Sequence, residues 1–170
     1  MKDRTEFIIP GEPMGKQRPK FSTFGGYGKA YTPKETVSYQ NLVKMCWSEK
    51  VGEFMFPDSG MGIGAEITAY YAIPKSTSKK KAQKMREHLI MAAKKPDADN
   101  IAKIILDALN GIAFSDDRNI TDLKVRKEYT EDGRAFVRVT LYELEEGDIA
   151  NEDNCRHEHS GEREDEGNAS

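Results

Sequence analysis

The chain has 170 residues, of which 32% are charged, with a formal net charge of −3. That length supports one domain with a real core. No apolar run is long enough to span a bilayer, and the opening MKDRTEFIIPGEP lacks the apolar stretch of a secretion signal, so a cytoplasmic protein with no membrane partner is expected. The two cysteines, Cys46 and Cys155, fall in unlike surroundings, which argues against a disulfide framework. Charge is unevenly spread. Residues 145–170 hold ten acidic and two basic residues, a net of −8, which leaves +5 on the rest. Residues 1–144 therefore read as one mildly basic domain that suits a phosphate-backbone partner. Residues 145–170 read as an acidic tail with too few apolar residues to fold.

Thr5 to Ile9 is β-prone and ends at Pro10-Gly11, a first strand. Glu12 to Lys20 is rich in proline, glycine and positive charge. Gly15-Lys16 is not a phosphate loop, because the glycine spacing is wrong and no Ser or Thr follows the lysine. Lys16, Arg18 and Lys20 either touch DNA phosphates or simply face water. Phe21 to Ala30 reads as a glycine-rich hairpin with aromatics. A helix follows, with Thr32 as N-cap, Pro33 at the first helical position and Glu35 closing a capping box, and runs to about Val51. Gly52 to Gly64 is a loop, and Ala65 to Ile73 alternates as a strand. Lys75 to Lys95 is strongly basic, with a helix capped by Ser76 or Ser78 and running to about Ile90. Lys79, Lys80, Lys81, Lys94 and Lys95 are candidates to hold a DNA arm, or are a solvated face.

Lys94 to Ile120, KKPDADNIAKIILDALNGIAFSDDRNI, carries the chemistry. Ile101, Ile104, Ile105, Ala108 and Leu109 have helical spacing with one buried face. Asp97 or Asp99 can cap that helix, and Asn110-Gly111 can stop it. Asp99, Lys103 and Asp107 are spaced four apart and form a polar stripe. Ile112-Ala113-Phe114 reads as a short strand ending at Asp116-Asp117. Carboxylates brought together call for a cation, and oxygen ligands suit Mg²⁺ or Mn²⁺. If the second acidic pair folds back onto the first, the arrangement predicts phosphodiester chemistry. Taken singly, each pair reads more readily as structural, the first as a helix cap and the second as a turn; two acidic pairs flanking one amphipathic helix with a lysine on its polar side are more specific.

Ile120 to Tyr129 and Arg134 to Glu143 both alternate, with Glu131-Asp132-Gly133 between them, and read as a β-hairpin. Its charges, Lys124, Arg126, Arg134 and Arg138, face DNA or water. Cys155, His157 and His159 cluster in the tail as a weak metal-binding pattern. The element order predicts an α+β fold, a two-layer arrangement of helices on one face of a mixed sheet.

The central stretch resembles the RusA-type Holliday-junction resolvases. The pieces are Asp97-Ala98-Asp99-Asn100-Ile101-Ala102-Lys103, then Leu106-Asp107-Ala108-Leu109, then Asp116-Asp117, in the family's order and spacing. The run from Gly11 to Pro19, with Lys16 and Arg18, and the Tyr31-Thr32-Pro33 helix entry are also similar to this family. The resemblance covers roughly residues 5 to 143. It implies a RusA-like homodimer that resolves four-way branched DNA by paired symmetric nicks, in recombination and repair, in a cell or a prophage. It implies Asp97, Asp99 and Asp117 as ligands of Mg²⁺, with Mn²⁺ able to substitute, and Lys103 as the catalytic lysine. Asp116, Asp107 and Asn100 match supporting positions. No small-molecule cofactor is implied.

Two rival readings stand beside this one. Pro96-Asp97 with Asp122-Leu123-Lys124 mimics the PD…(D/E)xK signature of restriction-type nucleases, which needs its carboxylates on adjacent strands. The other rival is a prophage-type protein that binds branched DNA without cutting it.

Overall fold

The computed structural model describes residues 4–24, 27–130 and 133–145. Four strands form one mixed sheet: β1 (Arg4–Pro10), β4 (Ile63–Ala72), β5 (Ile120–Thr130) and β6 (Phe136–Glu143), in the order β1-β6-β4-β5. A separate pair, β2 (Lys20–Phe24) and β3 (Tyr27–Tyr31), forms an antiparallel hairpin. Three α-helices complete the described residues: α1 (Lys34–Val51), α2 (Lys79–Arg86) and α3 (Ala98–Leu109). The α+β reading with a mixed sheet holds.

The alternation of β4 explains its central place. Ile63, Ala65, Ile67, Ala69 and Tyr71 are buried, while Glu66, Thr68 and Tyr70 between them are half-buried. In register beside them lie Leu141, Val139 and Val137 of β6, and beyond those Phe7 and Ile9 of β1. This face receives the helices. Tyr39, Val43 and Trp47, four apart on α1, meet Ile101, Ile104, Ile105, Ala108 and Leu109 of α3 in one apolar core. Trp47 packs edge-on to Phe7, with ring centroids 5.6 Å apart. Burying such side chains stabilises by roughly 1.5–3 kcal/mol each.

The hairpin expected from residues 120–143 is not formed. β4 lies between β5 and β6, parallel to the first and antiparallel to the second. The chain leaves β4, crosses through α2 and α3, and returns as its parallel neighbour β5. It then passes over the end of β4 to enter β6. Local alternation cannot tell this from a hairpin, because it marks which side of a strand is buried and not which strand lies beside it. β4 takes the place between the two. The turn residues 131–132 lie outside the described residues, as do Gly25, Gly26 and the whole of 146–170, including Cys155, His157 and His159.

Three local expectations also change. Ile112 to Phe114 is a turn closed by Ala113 N–H to Leu109 C=O at 2.8 Å, with one isolated bridge from Asn110 to Phe114. Its one outside backbone bond among the described residues is Phe56 N–H to Ala113 C=O at 2.8 Å, which is too little for a strand ladder. α2 stops at Arg86, because the following residues turn away and Ala92 N–H donates to Lys127 C=O at 3.0 Å, along the outer edge of β5. α1 is capped by Pro33 with no side-chain bond; Glu35 accepts instead from Gln17 Nε2 at 2.9 Å, so the capping box is not made.

The far face of the sheet is closed by its own charges. Arg4 meets Glu66 at 3.2 Å, Arg138 lies 3.9 Å from Glu6 and donates to Tyr70 OH at 3.3 Å, and Lys124 lies 3.8 Å from Asp122. Lys124 and Arg138 are thus matched by neighbouring carboxylates.

Candidate active site at the ends of one helix

Asp97 is the N-cap residue of α3. Its carbonyl accepts from Ile101 N–H at 3.1 Å, but its carboxylate makes no capping bond. Asp99, in the first turn, accepts only a long contact of 3.5 Å from Asn100 Nδ2. Both carboxylates are exposed, and so is Lys103 one turn further on. The reading of these aspartates as helix caps requires a backbone N–H bound to a carboxylate, and there is none.

Two contacts hold this end of the helix in place. The loop Pro13–Gln17 lies along α3, where Lys16 N–H donates to Asn100 C=O at 3.0 Å and Lys16 Nζ pairs with Asp107. Gly15 is required there, because a Cβ would stand 2.7 Å from Pro96 Cβ. From the other side, Lys127 of β5 donates to the carbonyls of Lys94 and Pro96, the latter at 2.9 Å. The Lys95–Pro96 peptide between them is cis. Lys94 Nζ lies over the Tyr71 ring, 4.4 Å from its centroid. Between loop and helix is an open groove of about 520 Å³ lined by Lys16, Lys95, Asp97 and Asn100 among others. The nearby phenols Tyr39 and Tyr71 are pushed up to about 12, chiefly by burial, so both stay neutral and neither serves as a base at neutral pH.

Lys127 was not legible as a site residue. The one available signal was its parity: it falls between Val125 and Tyr129, on the apolar side of an alternating strand.

The second acidic pair is elsewhere. Asp116 accepts from Arg118 N–H at 3.0 Å and caps a 3₁₀ turn, Asp117–Asn119. That bond, with the Arg118 side chain nearby, holds the Asp116 carboxyl below the usual carboxylate range. Asp117 is exposed, beside a separate hollow of about 250 Å³ lined by Asp58, Ser59, Arg118 and Thr121 among others. A helix of 12 residues separates the two pairs, about 18 Å of rise. β5 gives the same answer, since Asp117 precedes its start while Lys127, which touches Pro96, is about 23 Å further along the strand. Asp97 and Asp99 therefore do not meet Asp117 within one protomer. Among the described residues no group of three or more His, Cys, Asp or Glu could hold a metal ion.

Of the other candidates, Arg18, Lys20, Lys79, Lys80, Lys81, Lys94 and Lys95 are all exposed, whereas Lys16 is half-buried against Asp107. Asp122 accepts from Tyr142 OH at 2.8 Å, on the sheet face opposite Lys127. It is also five residues down the strand from Lys127, so the PD…(D/E)xK pairing with Asp97 has no geometry. Among the described residues no helix is long and apolar enough to cross a membrane.

The family model described as endodeoxyribonuclease RusA matches residues 10–140. The chain belongs to the RusA family. It is also 32% identical over 139 residues to the uncharacterized protein YqaN of Bacillus subtilis (strain 168), covering 81% of this chain and 96% of that one. In this RusA-family chain the match spans β4, β5, most of β6, α3 and both acidic pairs.

Proposed function

We propose that the chain is a structure-selective endodeoxyribonuclease that resolves Holliday junctions by paired nicks, with residues 1–144 as the nuclease domain and 145–170 as an appended acidic tail. Family membership across 10–140 supports the class. The observation that carries the site is the pair of exposed carboxylates, Asp97 and Asp99, left unspent at the start of α3 beside a basic groove.

These two aspartates fit Mg²⁺ or Mn²⁺, which are commonly held by one or two carboxylates together with water and substrate phosphate. The bound ion would supply neutralisation of charge developing on the phosphate and acidification of a water. The chain's own groups do the rest. Lys103, exposed on the Asp99 side, steadies a phosphate oxygen as negative charge builds. Lys127 and Lys16 fix the backbone on which Asp97 and Asp99 stand. Lys79, Lys80, Lys81, Lys94 and Lys95, all exposed, bind phosphates of an arm.

Asp117 enters this site only from a second protomer. A homodimer, which matches two equal strands with two equal centres, would allow that. The separation of Asp117 from Asp97 also favours the rival reading, a protein that binds branched DNA without cutting.

The test is a synthetic four-way junction and a matched linear duplex, each given to wild type and to Asp97→Asn with Mg²⁺. Symmetric nicking of the junction, lost in the variant, is expected. Binding by both proteins with no cutting by either selects the binding-only protein.

A further inference from the structure

Where its side chains are described, the β2–β3 hairpin is bare on both faces. Successive side chains of a strand point to opposite sides, yet Lys20, Phe21 and Ser22 are all exposed, as are Ala30 and Tyr31 across from them. Phe21 is 78% exposed, the most of any large apolar side chain described, and Tyr31 is 47% exposed. A lone two-stranded hairpin is marginal in water. One that also displays a phenylalanine is built to meet something.

The sequence says what. Residues 18–34 carry Arg18, Lys20, Lys29 and Lys34, the aromatics Phe21, Phe24, Tyr27 and Tyr31, and no Asp or Glu. Cations track a nucleic-acid backbone, and aromatic rings stack on bases that are not already stacked. A plain duplex offers no open base face, whereas a branch point does. The same arm of a second copy would bring the same unopposed positive charge to the contact and be repelled. The arm is also rooted at the site, since Gln17 lines the groove with Asp97 and β2 begins at Lys20.

We infer that the β2–β3 arm is a stacking platform for unstacked bases, with Phe21 its exposed ring, and that it gives the Asp97 site its preference for branched over plain duplex DNA. The inference rests on the nuclease reading above and adds the element that recognises the branch.

The experiment uses the full chain as wild type, Phe21→Ala and Phe21→Tyr, without divalent metal. Fluorescence anisotropy follows binding to a four-way junction, its matched duplex and one of its single strands. Phe21→Ala should weaken junction and single-strand binding roughly ten- to a hundredfold and leave the duplex within about twofold. The salt dependence of binding should not change, because no phosphate contact is lost. Phe21→Tyr should restore binding. Equal losses on all three DNAs, or a shallower salt dependence, would assign the arm to backbone grip and overturn the inference, as would no loss at all. A changed oligomeric state of Phe21→Ala by light scattering would assign it to a second protomer, also overturning it. A wild type with no junction preference removes the resolvase reading; the arm then stands or falls on the single strand.

Discussion

The two ends of α3 carry the same chemistry in opposite states. At the start, Asp97 occupies the cap position without using its carboxylate, and the first turn is held from outside by Lys16 and Lys127. Beyond the far end, Asp116 uses its carboxylate on Arg118 N–H and closes a turn. An acidic pair in a sequence therefore says little by itself. What separates a turn former from a candidate ligand is whether a backbone N–H has already taken the oxygen.

The sharpest way to break the comparison is Asp97→Asn. The change is isosteric and removes no capping bond, so folding and junction binding should persist while Mg²⁺-dependent cleavage falls on the order of a thousandfold or more. A loss of thermal stability instead of activity would show that Asp97 is a structural residue, and the two ends would then be alike.

Next in size is a mixing experiment. Asp97→Asn and Asp117→Asn should each cut poorly. If Asp117 serves a second protomer's Asp97, equal mixing and re-equilibration puts both intact residues into one centre of each mixed dimer, recovering about a quarter of wild-type sites. Single-strand nicks should dominate, since the other centre of that dimer is dead. No recovery, in a preparation shown to contain mixed dimers, rules out a shared site.

A smaller effect is expected at Lys127. Lys127→Met leaves the carbonyls of Lys94 and Pro96 without this donor and loosens the loop that leads into Asp97. Cleavage turnover should drop roughly ten- to a hundredfold, as for a displacement of about 1 Å. Junction affinity should change little, and Lys127→Arg should recover part of the turnover. Equal losses in affinity and turnover would make Lys127 a DNA contact rather than a positioning residue.

These predictions differ in how far the sequence foretold them. The D-x-D-N-x-x-K run, the apolar stripe of α3 and the alternation of β4 were legible, because each is a local pattern with a fixed period. The place of Asp117 was not. Its distance from Asp97 depends on the parallel return of β5 beside β4, and no local pattern specifies that. Lys127 was hidden for the same reason, since its acceptors lie more than thirty residues away. Lys16 shows the opposite failure. Its charge and loop setting suggested DNA, but Asp107, on the polar stripe already recognised, takes its ammonium.

The smallest expected effect is at Asp116, and it tests the comparison from the other side. Asn at this position keeps an oxygen that can accept from Arg118 N–H, so the 3₁₀ turn should survive Asp116→Asn. The folded-state pKa of Asp116 is lowered, so any stability it contributes is present above its unfolded value and is lost as pH falls through the folded one. Because nearly half of the side chain is exposed to solvent, removing the charge should flatten acid unfolding only faintly and leave the melting temperature at neutral pH unchanged. Cleavage should stay near wild type. A loss comparable to Asp97→Asn would mean that negative charge at the far end of α3 takes part in the chemistry. Two acidic pairs about 18 Å apart in one protomer could then act on one phosphate only by meeting across two protomers.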